Sequence, residues 1–320
     1  MKSGPTFPER IASIDIGTNT ILLLIAEIHP DSIKPLVDTE TVVRLGEGLD
    51  QKGVLSEEAM ERGVHTINQY VNQCKKLGVT EIYAVGTSAL REAKNASDFL
   101  KRVKEKQNLS IEVISGEKEA YFSFLAVTKD LKKSGGNLLV VDVGGGSTEL
   151  ILGNSDAMIW WASLPLGIVR FSERFLLSDP VQEEEYRAMV EEIRKHLPVI
   201  PLPETPLSSL SMVSIGGTGT ALASVEQGLE KFIPEKIHNF VLTGEALRNQ
   251  LSLYRSMTVE RRKKIKGLPA SRADVILAGG TILYLIMEAL GSPSLIVNTH
   301  GVRYGLLYKN ISDFRLRISD

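Results

Sequence analysis

Two short loops, each opened by an aspartate and rich in glycine and hydroxyl side chains, limit most strongly what this chain can fold into. The first loop begins at Asp15 and Gly17, and the second begins at Asp142 and continues through three glycines. Both loops lie between short apolar segments, at residues 11–14 and 21–25 in one case and at 138–141 and 150–152 in the other. Apolar segments of strand length on both sides of a tight loop predict a β-hairpin. The sequence therefore predicts two hairpins of the same design, each with an aspartate at its mouth.

The composition of both loops suits phosphate groups. Backbone N–H groups in a glycine-rich turn and nearby hydroxyl groups donate hydrogen bonds to phosphate oxygens, and an aspartate beside them suits a hard cation such as Mg²⁺. Neither loop is followed by the Gly-Lys-Ser/Thr of a Walker loop, and a strand instead of a helix comes next, which excludes a dinucleotide fingerprint. Two such hairpins can hold one phosphate chain from both sides. The candidate donors are Thr18, Asn19 and Thr20 in the first loop and Gly144, Gly145, Gly146, Ser147 and Thr148 in the second.

Length, charge and cysteine content limit the possible classes of protein. The chain of 320 residues is long enough for two domains. Its formal net charge of −2 provides no general attraction to DNA or to an anionic membrane. The single cysteine excludes an internal disulfide and a metal site built from cysteines, which is typical of a reducing compartment. Since the first residues also lack the apolar core of a signal peptide, we expect a cytoplasmic protein.

Strand and helix signals alternate along the first half of the chain. In the second half, four prolines between residues 198 and 206 predict a surface connection. Two strand-to-helix turns are predicted after it, from residues 212–215 into the glycines at 216–219 and from residues 275–277 into those at 279–280. Helix N-termini after such turns present free N–H groups to anions. Gly217 and Thr218 are therefore further candidates for phosphate binding.

Three glutamates are candidates for the chemistry. Glu149 begins the strand after the second loop, where it is either an outward-facing carboxylate or a metal ligand that reinforces Asp142. Glu117 and Glu119 lie at a predicted helix start, where carboxylates ordinarily stabilise the helix dipole at the surface. Alternatively, one of these two orients a water molecule for in-line attack on a terminal phosphate.

Basic residues and histidines leave further alternatives open. Arg91 is either a solvated helix residue paired with an acid or a group that neutralises charge on a transferred phosphoryl group. The basic run from Arg261 to Lys266 is either a solvated face or a grip for a long anionic tail. The five histidines show no spacing typical of metal ligands; they are His29, His65, His196, His238 and His300.

Taken together, six segments resemble the exopolyphosphatase and guanosine pentaphosphate phosphohydrolase (Ppx/GppA) phosphatase family. The resemblance implies an α/β fold of two actin-like (ribonuclease H-like) domains of the sugar kinase/actin/chaperone ATPase superfamily, with an interdomain cleft. It implies the short two-domain form, with residues 1–124 and 303–320 in domain I and 125–302 in domain II. Longer members of the family carry an additional domain that is marked by a His-Asp dipeptide. This sequence has no such dipeptide. The matching segments are residues 14–20, 86–91, 114–120, 141–150, 214–220 and 272–276.

The resemblance also implies a role for individual residues. Glu119 falls at the position of the family's catalytic base, and Arg91 falls at that of its phosphate-contacting arginine. Asp142 and Glu149 match the acidic residues of a site for Mg²⁺ or another hard divalent cation. Asp15, which we group with these metal ligands, and residues 18–20 match the first phosphate loop.

The implied function is exopolyphosphatase: Mg²⁺-assisted in-line attack of water on inorganic polyphosphate, with release of terminal orthophosphate. The main alternative is a 5′-phosphohydrolase for guanosine pentaphosphate (pppGpp), a nucleotide of the stringent response. A further alternative is an ATP-dependent kinase of the same superfamily, whose base would activate an acceptor instead of water. A non-catalytic phosphate sensor or a filament-forming protein is the remaining class. We expect no DNA or membrane partner, and the architecture is compatible with a homodimer.

Overall fold

The computed structural model describes residues 9–29, 32–131, 136–197 and 210–318. The chain divides into two units. Unit 1 comprises Met1–Ala126 and Val302–Asp320, and unit 2 comprises Val127–Gly301. Each unit is built around its own β-sheet and its own hydrophobic core.

The strands form one sheet in each unit. In unit 1 they are β1 (Glu9–Ile16), β2 (Thr20–Ile28), β3 (Ile33–Val42), β4 (Glu81–Gly86) and β5 (Glu112–Val113). In unit 2 they are β6 (Asn137–Val143), β7 (Thr148–Gly153), β8 (Met158–Leu164), β9 (Leu210–Ile215), β10 (Phe240–Thr243) and β11 (Ser294–Val297).

Helices complete both units. The first seven are α1 (Leu49–Lys52), α2 (Glu57–Lys76), α3 (Ser88–Glu92), α4 (Ala96–Gln107), α5 (Gly116–Asp130), α6 (Ile168–Phe175) and α7 (Glu183–His196). The remaining six are α8 (Gly216–Glu226), α9 (Pro234–Ile237), α10 (Gly244–Arg255), α11 (Val259–Arg262), α12 (Ile276–Ala289) and α13 (Val302–Ile318).

The two sheets repeat one topology. The order in unit 1 is β3-β2-β1-β4-β5, and the order β8-β7-β6-β9-β11 in unit 2 matches it strand for strand, with β10 added at the edge. In both sheets the first three strands along the chain are antiparallel neighbours. The first strand of each, β1 or β6, then pairs in parallel with the next, β4 or β9. The two aspartate-bearing hairpins, β1–β2 and β6–β7, therefore occupy equivalent places in the two sheets.

Helix α2 shows how the sequence determines a local element. The Ser56 side chain caps its start by accepting a hydrogen bond from the Ala59 N–H group. Glutamates occupy its first turn and lysines its last turn, as the helix dipole favours. Met60 and Ile67 belong to the face that is buried against the sheet of unit 1.

Some sequence-based predictions require correction. Residues 275–277 do not form a strand, because α12 begins at Ile276 and Gly279, Gly280 and Thr281 lie inside it. This helix is buried on almost all sides, so its apolar run lacks the polar face by which a helix is usually recognised. The predicted proline-rich connection at 198–206 lies outside the described residues. Among the helices that the structure describes, none is sufficiently long and apolar to cross a membrane.

Candidate active site

The first loop, in unit 1, is fixed by its backbone. The N–H group of Gly17 donates to the carbonyl oxygen of Thr20 at 3.0 Å and closes the turn. The segment at residues 43–46 braces the loop from outside: two of its N–H groups donate to the Asn19 carbonyl at 2.9 and 3.0 Å, and a third donates to the Thr18 carbonyl at 2.9 Å. The loop therefore holds its shape through main-chain hydrogen bonds.

Two of those side chains are buried with polar atoms that the described residues do not satisfy. Thr18 and Asn19 are only 5% and 4% exposed. The Thr18 hydroxyl oxygen and both amide atoms of Asn19 have no hydrogen-bond partner among the described residues. Buried polar atoms in folded proteins are nearly always hydrogen-bonded, and leaving one unsatisfied costs about 1–3 kcal/mol. An anion with several acceptor oxygens would satisfy the Thr18 hydroxyl and the Asn19 amide N–H groups.

The second loop, in unit 2, has the same backbone closure. The N–H group of Gly144 donates to the carbonyl oxygen of Ser147 at 2.9 Å, as Gly17 does to Thr20 in the first loop. The start of α6 braces it, with the N–H groups of residues 168 and 169 donating to the carbonyls of Gly144 and Gly145 at 3.0 Å. A Cβ atom at Gly167 would overlap the backbone of Gly145 and Gly146, so only glycine permits this close approach.

Thr148, Gly217 and Thr218 already have structural roles in unit 2. The Thr148 hydroxyl donates to the Leu166 carbonyl, and the Thr218 hydroxyl donates to the Val143 carbonyl at 3.0 Å. The guanidinium group of the buried Arg272 lies against Gly217. In the structure, these three residues support the framework around the second loop. Their predicted contacts with phosphate stay predictions.

Asp142 and Glu149 form a pair of carboxylates in unit 2. They are directly opposite each other in the β6–β7 ladder, so their side chains share one face of the sheet with Cβ atoms about 5 Å apart. Glu149 is only 1% exposed, and its Oε1 atom accepts hydrogen bonds from the hydroxyls of Ser147 at 2.9 Å and Ser163 at 2.7 Å. Oxygen donors from two neighbouring carboxylates are the set that a hard cation such as Mg²⁺ takes. The residues present therefore fit such a cation.

The start of α8 lies beside this pair. Gly216, its first residue, has φ +80°, and a Cβ atom there would come 2.6 Å from Asp142 Oδ1. Both the backbone conformation and the neighbouring carboxylate therefore require glycine at this position. In unit 1, the partly buried Asp15 occupies the equivalent place, at the end of β1 and before the first loop.

Glu119 and Arg91 form a partly enclosed ion pair in unit 1. Arg91 Nη1 lies 2.6 Å from Glu119 Oε2 and also donates to the Ile114 carbonyl at 3.1 Å. Glu119 is 7% exposed, whereas Glu117, two residues earlier on α5, is exposed. The structure thus separates the two glutamates that the sequence left as alternatives: Glu117 is the surface carboxylate at the helix start, and Glu119 is the enclosed one.

Burial of Glu119 changes its acidity. Removal from water raises the pKa of its carboxyl above the ordinary value, and the charge of Arg91 and its hydrogen bond act in the opposite direction. The net direction is upward, towards the working range of a general base. The arginine keeps the carboxylate oriented while leaving it a better proton acceptor than a solvated glutamate.

The basic run from Arg261 to Lys266 is less continuous than its sequence indicates. Arg262 is buried and donates through Nε to the Tyr254 carbonyl at 2.7 Å. Lys263 pairs with Glu260, and Lys266 pairs with Glu230. The run therefore divides into a buried structural arginine and exposed cations, two of which are in ion pairs.

Sequence reasoning missed two parts of the site. Ser163 orients Glu149 from the neighbouring strand, where the β7–β8 ladder places the two residues opposite each other. Gly167 supports the second loop from the start of α6. Both depend on contacts between separate segments, and no local motif marks either residue.

Comparisons with known proteins agree with these features. The model of the Ppx/GppA phosphatase family matches residues 24–314. A bifunctional 3-dehydroquinate synthase/phosphatase of Fusobacterium nucleatum is 34% identical over 313 residues, which are 94% of this chain and 46% of that protein. A guanosine-5′-triphosphate,3′-diphosphate pyrophosphatase of Vibrio vulnificus is 32% identical over 95% of this chain and 60% of its own length. Exopolyphosphatase 1 of Mycobacterium tuberculosis is 28% identical over 94% of this chain and 88% of its own length. The chain thus spans about half to nine tenths of these relatives.

A solved structure shows the same fold. The crystal structure of the Aquifex aeolicus member of the Ppx/GppA family superimposes with a TM-score of 0.78, at 34% identity, over 95% of this chain and 98% of that one. Together with the repeated sheet topology, this match confirms the predicted α/β fold of two actin-like domains.

Proposed function

The chain belongs to the Ppx/GppA phosphatase family, and we propose that it hydrolyses phosphoric anhydrides, releasing orthophosphate from the end of inorganic polyphosphate. One observation carries this proposal: the enclosed Glu119, oriented by Arg91 and with a raised pKa. Hydrolysis of a terminal phosphate needs a group that positions water, and an exposed carboxylate would do so poorly. Unit 1 also supplies buried Thr18 and Asn19 atoms that suit phosphate oxygens.

In the proposed mechanism, Glu119 orients a water molecule in line with the terminal phosphorus and accepts its proton as the P–O bond to the leaving phosphate breaks. Arg91 stabilises negative charge on the terminal group. Thr18 and Asn19, with Thr20 beside them, and the backbone N–H groups of residues 145–147 hold the phosphate oxygens, while the Gly144 N–H group closes the second loop on Ser147. These contacts contribute mainly by positioning.

A hard divalent cation, which we propose is Mg²⁺, would be held by Asp142 and Glu149, with Asp15 as the proposed acidic ligand of the first loop. When bound, it supplies positive charge that neutralises the phosphates. Ser147 and Ser163 keep the Glu149 carboxylate oriented for this role. Cys74 is a buried free thiol, and a chain without a disulfide is consistent with the proposed cytoplasmic location.

The second candidate substrate is guanosine pentaphosphate. Relatives named for each activity match the chain over similar lengths, at 32% identity for the nucleotide enzyme and 28% for the exopolyphosphatase. The reacting phosphates of both substrates present the same oxygens to the loops.

The test is Mg²⁺-dependent orthophosphate release from long polyphosphate, guanosine pentaphosphate and ATP, without an acceptor. Release from polyphosphate supports the proposal, release from guanosine pentaphosphate alone supports the second candidate, and the two rates rank the substrates. Absence of release from both contradicts it, and phosphate transfer from ATP only to an added acceptor would indicate a kinase.

Replacing Thr18 by valine tests the first loop. Valine keeps the methyl group that packs beside Gly46 and removes a hydroxyl that has no partner among the described residues. We therefore expect the free energy of unfolding to stay within about 0.5 kcal/mol of wild type, whereas KM for polyphosphate rises about tenfold or more through loss of a hydrogen bond to a charged oxygen.

The matched control is Thr66→Val, because the Thr66 hydroxyl is also buried but donates to the Arg62 carbonyl at 3.0 Å within α2. It should leave KM unchanged. Unaltered KM in Thr18→Val would remove Thr18 from the phosphate site.

The pH dependence of the rate follows from Glu119. Its carboxyl must be ionised to accept a proton, so kcat/KM should fall as the pH decreases through its raised pKa.

Arg91 acts to lower the pKa of Glu119, so Arg91→Met should raise that pKa further and move the acid limb of the profile to higher pH. Profiles of kcat/KM, each normalised to its plateau, measure the shift. Arg102→Met, which removes a partly exposed partner of Glu57 in the same unit, should leave the limb in place. A limb that stays fixed in Arg91→Met would separate Arg91 from the ionisation of Glu119.

A further inference from the structure

Three residues that are far apart in the sequence meet in unit 2. Asp130 is the last residue of α5, His238 follows α9, and His300 precedes α13. His238 Nε2 lies 3.0 Å from Asp130 Oδ2, and His300 Nδ1 lies 3.6 Å from Asp130 Oδ1. The two imidazole rings are 4.9 Å apart between centroids. All three side chains are partly buried, and none belongs to the phosphate loops.

The spacing of their donor atoms suits a small metal ion. One nitrogen of each histidine and a carboxylate oxygen all lie within 4.8 Å of one another. In a tetrahedral site with bonds of about 2.0–2.1 Å, neighbouring ligand atoms are about 3.4 Å apart. His238 Nε2 is 3.0 Å from Asp130 Oδ2 and His300 Nδ1 is 3.6 Å from Asp130 Oδ1, so each histidine already lies at about the ligand–ligand distance from the carboxylate.

Surrounding residues already hold the proposed ligands in place. The buried Asn298 donates from Nδ2 to Asp130 Oδ2 at 2.7 Å. Its Oδ1 atom accepts from the main-chain N–H group of His300 at 2.8 Å. His238 Nδ1 lies 2.9 Å from the Thr299 hydroxyl and accepts from the Thr299 main-chain N–H group at 3.4 Å, and these contacts orient the ring with Nε2 towards Asp130. Such outer contacts orient the ligands of established metal sites.

The chemistry of this donor set selects a class of metal. Two imidazoles and one carboxylate favour Zn²⁺ and similar transition metals, whereas Mg²⁺ prefers oxygen ligands alone. The Asp142–Glu149 pair, which has only oxygen donors, has the opposite preference.

We propose that Asp130, His238 and His300 form a site for Zn²⁺ or a related transition metal. The bound ion joins the end of α5 to the segments before β10 and α13. The chain passes from unit 1 to unit 2 after Ala126 and back to unit 1 after Gly301. Asp130 lies shortly after the first of these points, and His300 lies just before the second. The ion therefore links both connecting segments to His238, beside the edge strand of unit 2.

The test uses the full chain without an affinity tag, treated with a chelator and then titrated with Zn²⁺ by calorimetry and with Co²⁺ by visible absorption. We expect one saturable site per chain, cobalt bands typical of tetrahedral coordination, and no competition from millimolar Mg²⁺. Zn²⁺ should also raise the melting temperature.

Variants assign the site to these residues. His238→Ala and His300→Ala should each weaken Zn²⁺ binding at least about 100-fold and abolish the metal-dependent rise in melting temperature. His238→Gln, a milder change, guards against loss of folding and should give the same loss of binding. The control is His196→Ala, which removes a histidine that contacts Glu192 at 3.3 Å in the same unit, and it should bind Zn²⁺ like wild type. Absence of saturable binding in wild type, or unchanged affinity in folded His238 and His300 variants, would overturn the proposal.

Discussion

Replacing Glu119 by glutamine is expected to reduce orthophosphate release at least about 100-fold while substrate binding survives. Glutamine keeps the size of the side chain and can still accept a hydrogen bond from Arg91, which lies 2.6 Å from the carboxylate. It cannot accept a proton from the attacking water. The loss should therefore appear in kcat, with little change in the affinity for polyphosphate measured without turnover.

Glu117→Gln is the matched control for this prediction. Both glutamates lie in the first turn of α5, but Glu117 is exposed and Glu119 is enclosed. The Glu117 variant should retain nearly wild-type kcat. Turnover close to wild type in Glu119→Gln, with folding confirmed by circular dichroism, would show that Glu119 does not activate the water.

The second large effect is expected for Glu149→Gln. The change removes one of two adjacent carboxylates while keeping an oxygen that can accept from Ser147 and Ser163. A neutral amide binds a hard cation less strongly than a carboxylate does. We expect the Mg²⁺ concentration for half-maximal activity to rise about 10–100-fold, with partial recovery of the rate at high Mg²⁺.

Asp156→Asn controls for a general effect of charge on Mg²⁺ activation. Asp156 is an exposed acid in the turn between β7 and β8, at the far end of the same strand from the second loop. Its Mg²⁺ dependence should match that of wild type. An unchanged Mg²⁺ requirement in Glu149→Gln would exclude Glu149 as a ligand of the cation.

The hairpins could be predicted from the sequence because their signals are local. Apolar segments on both sides of a tight glycine turn mark β1–β2 and β6–β7. The two-domain fold was predicted from the resemblance to a family. The two loops are also closed by equivalent backbone hydrogen bonds, from the Gly17 N–H group to Thr20 in the first and from the Gly144 N–H group to Ser147 in the second.

Other parts of the site depend on contacts between distant segments. Glu117 and Glu119 are equivalent in local sequence, and only the packing of α5 beside Arg91 separates them. The histidines show no metal spacing in sequence, yet His238 and His300 meet at Asp130 because their connections end at one edge of the sheet. Arg262 belongs to a basic run but is buried, because its guanidinium group finds backbone carbonyls inside unit 2.

Hydrolysis in ¹⁸O-labelled water tests the central claim most directly, with guanosine pentaphosphate as a substrate of defined length and polyphosphate beside it. Attack of water on the terminal phosphorus places one ¹⁸O atom in each released orthophosphate and none in the shortened product, and the rate of this labelling should fall with Glu119→Gln. Label in the shortened product would mean that water attacks a different phosphorus atom. Absence of labelled orthophosphate from both substrates would contradict the account.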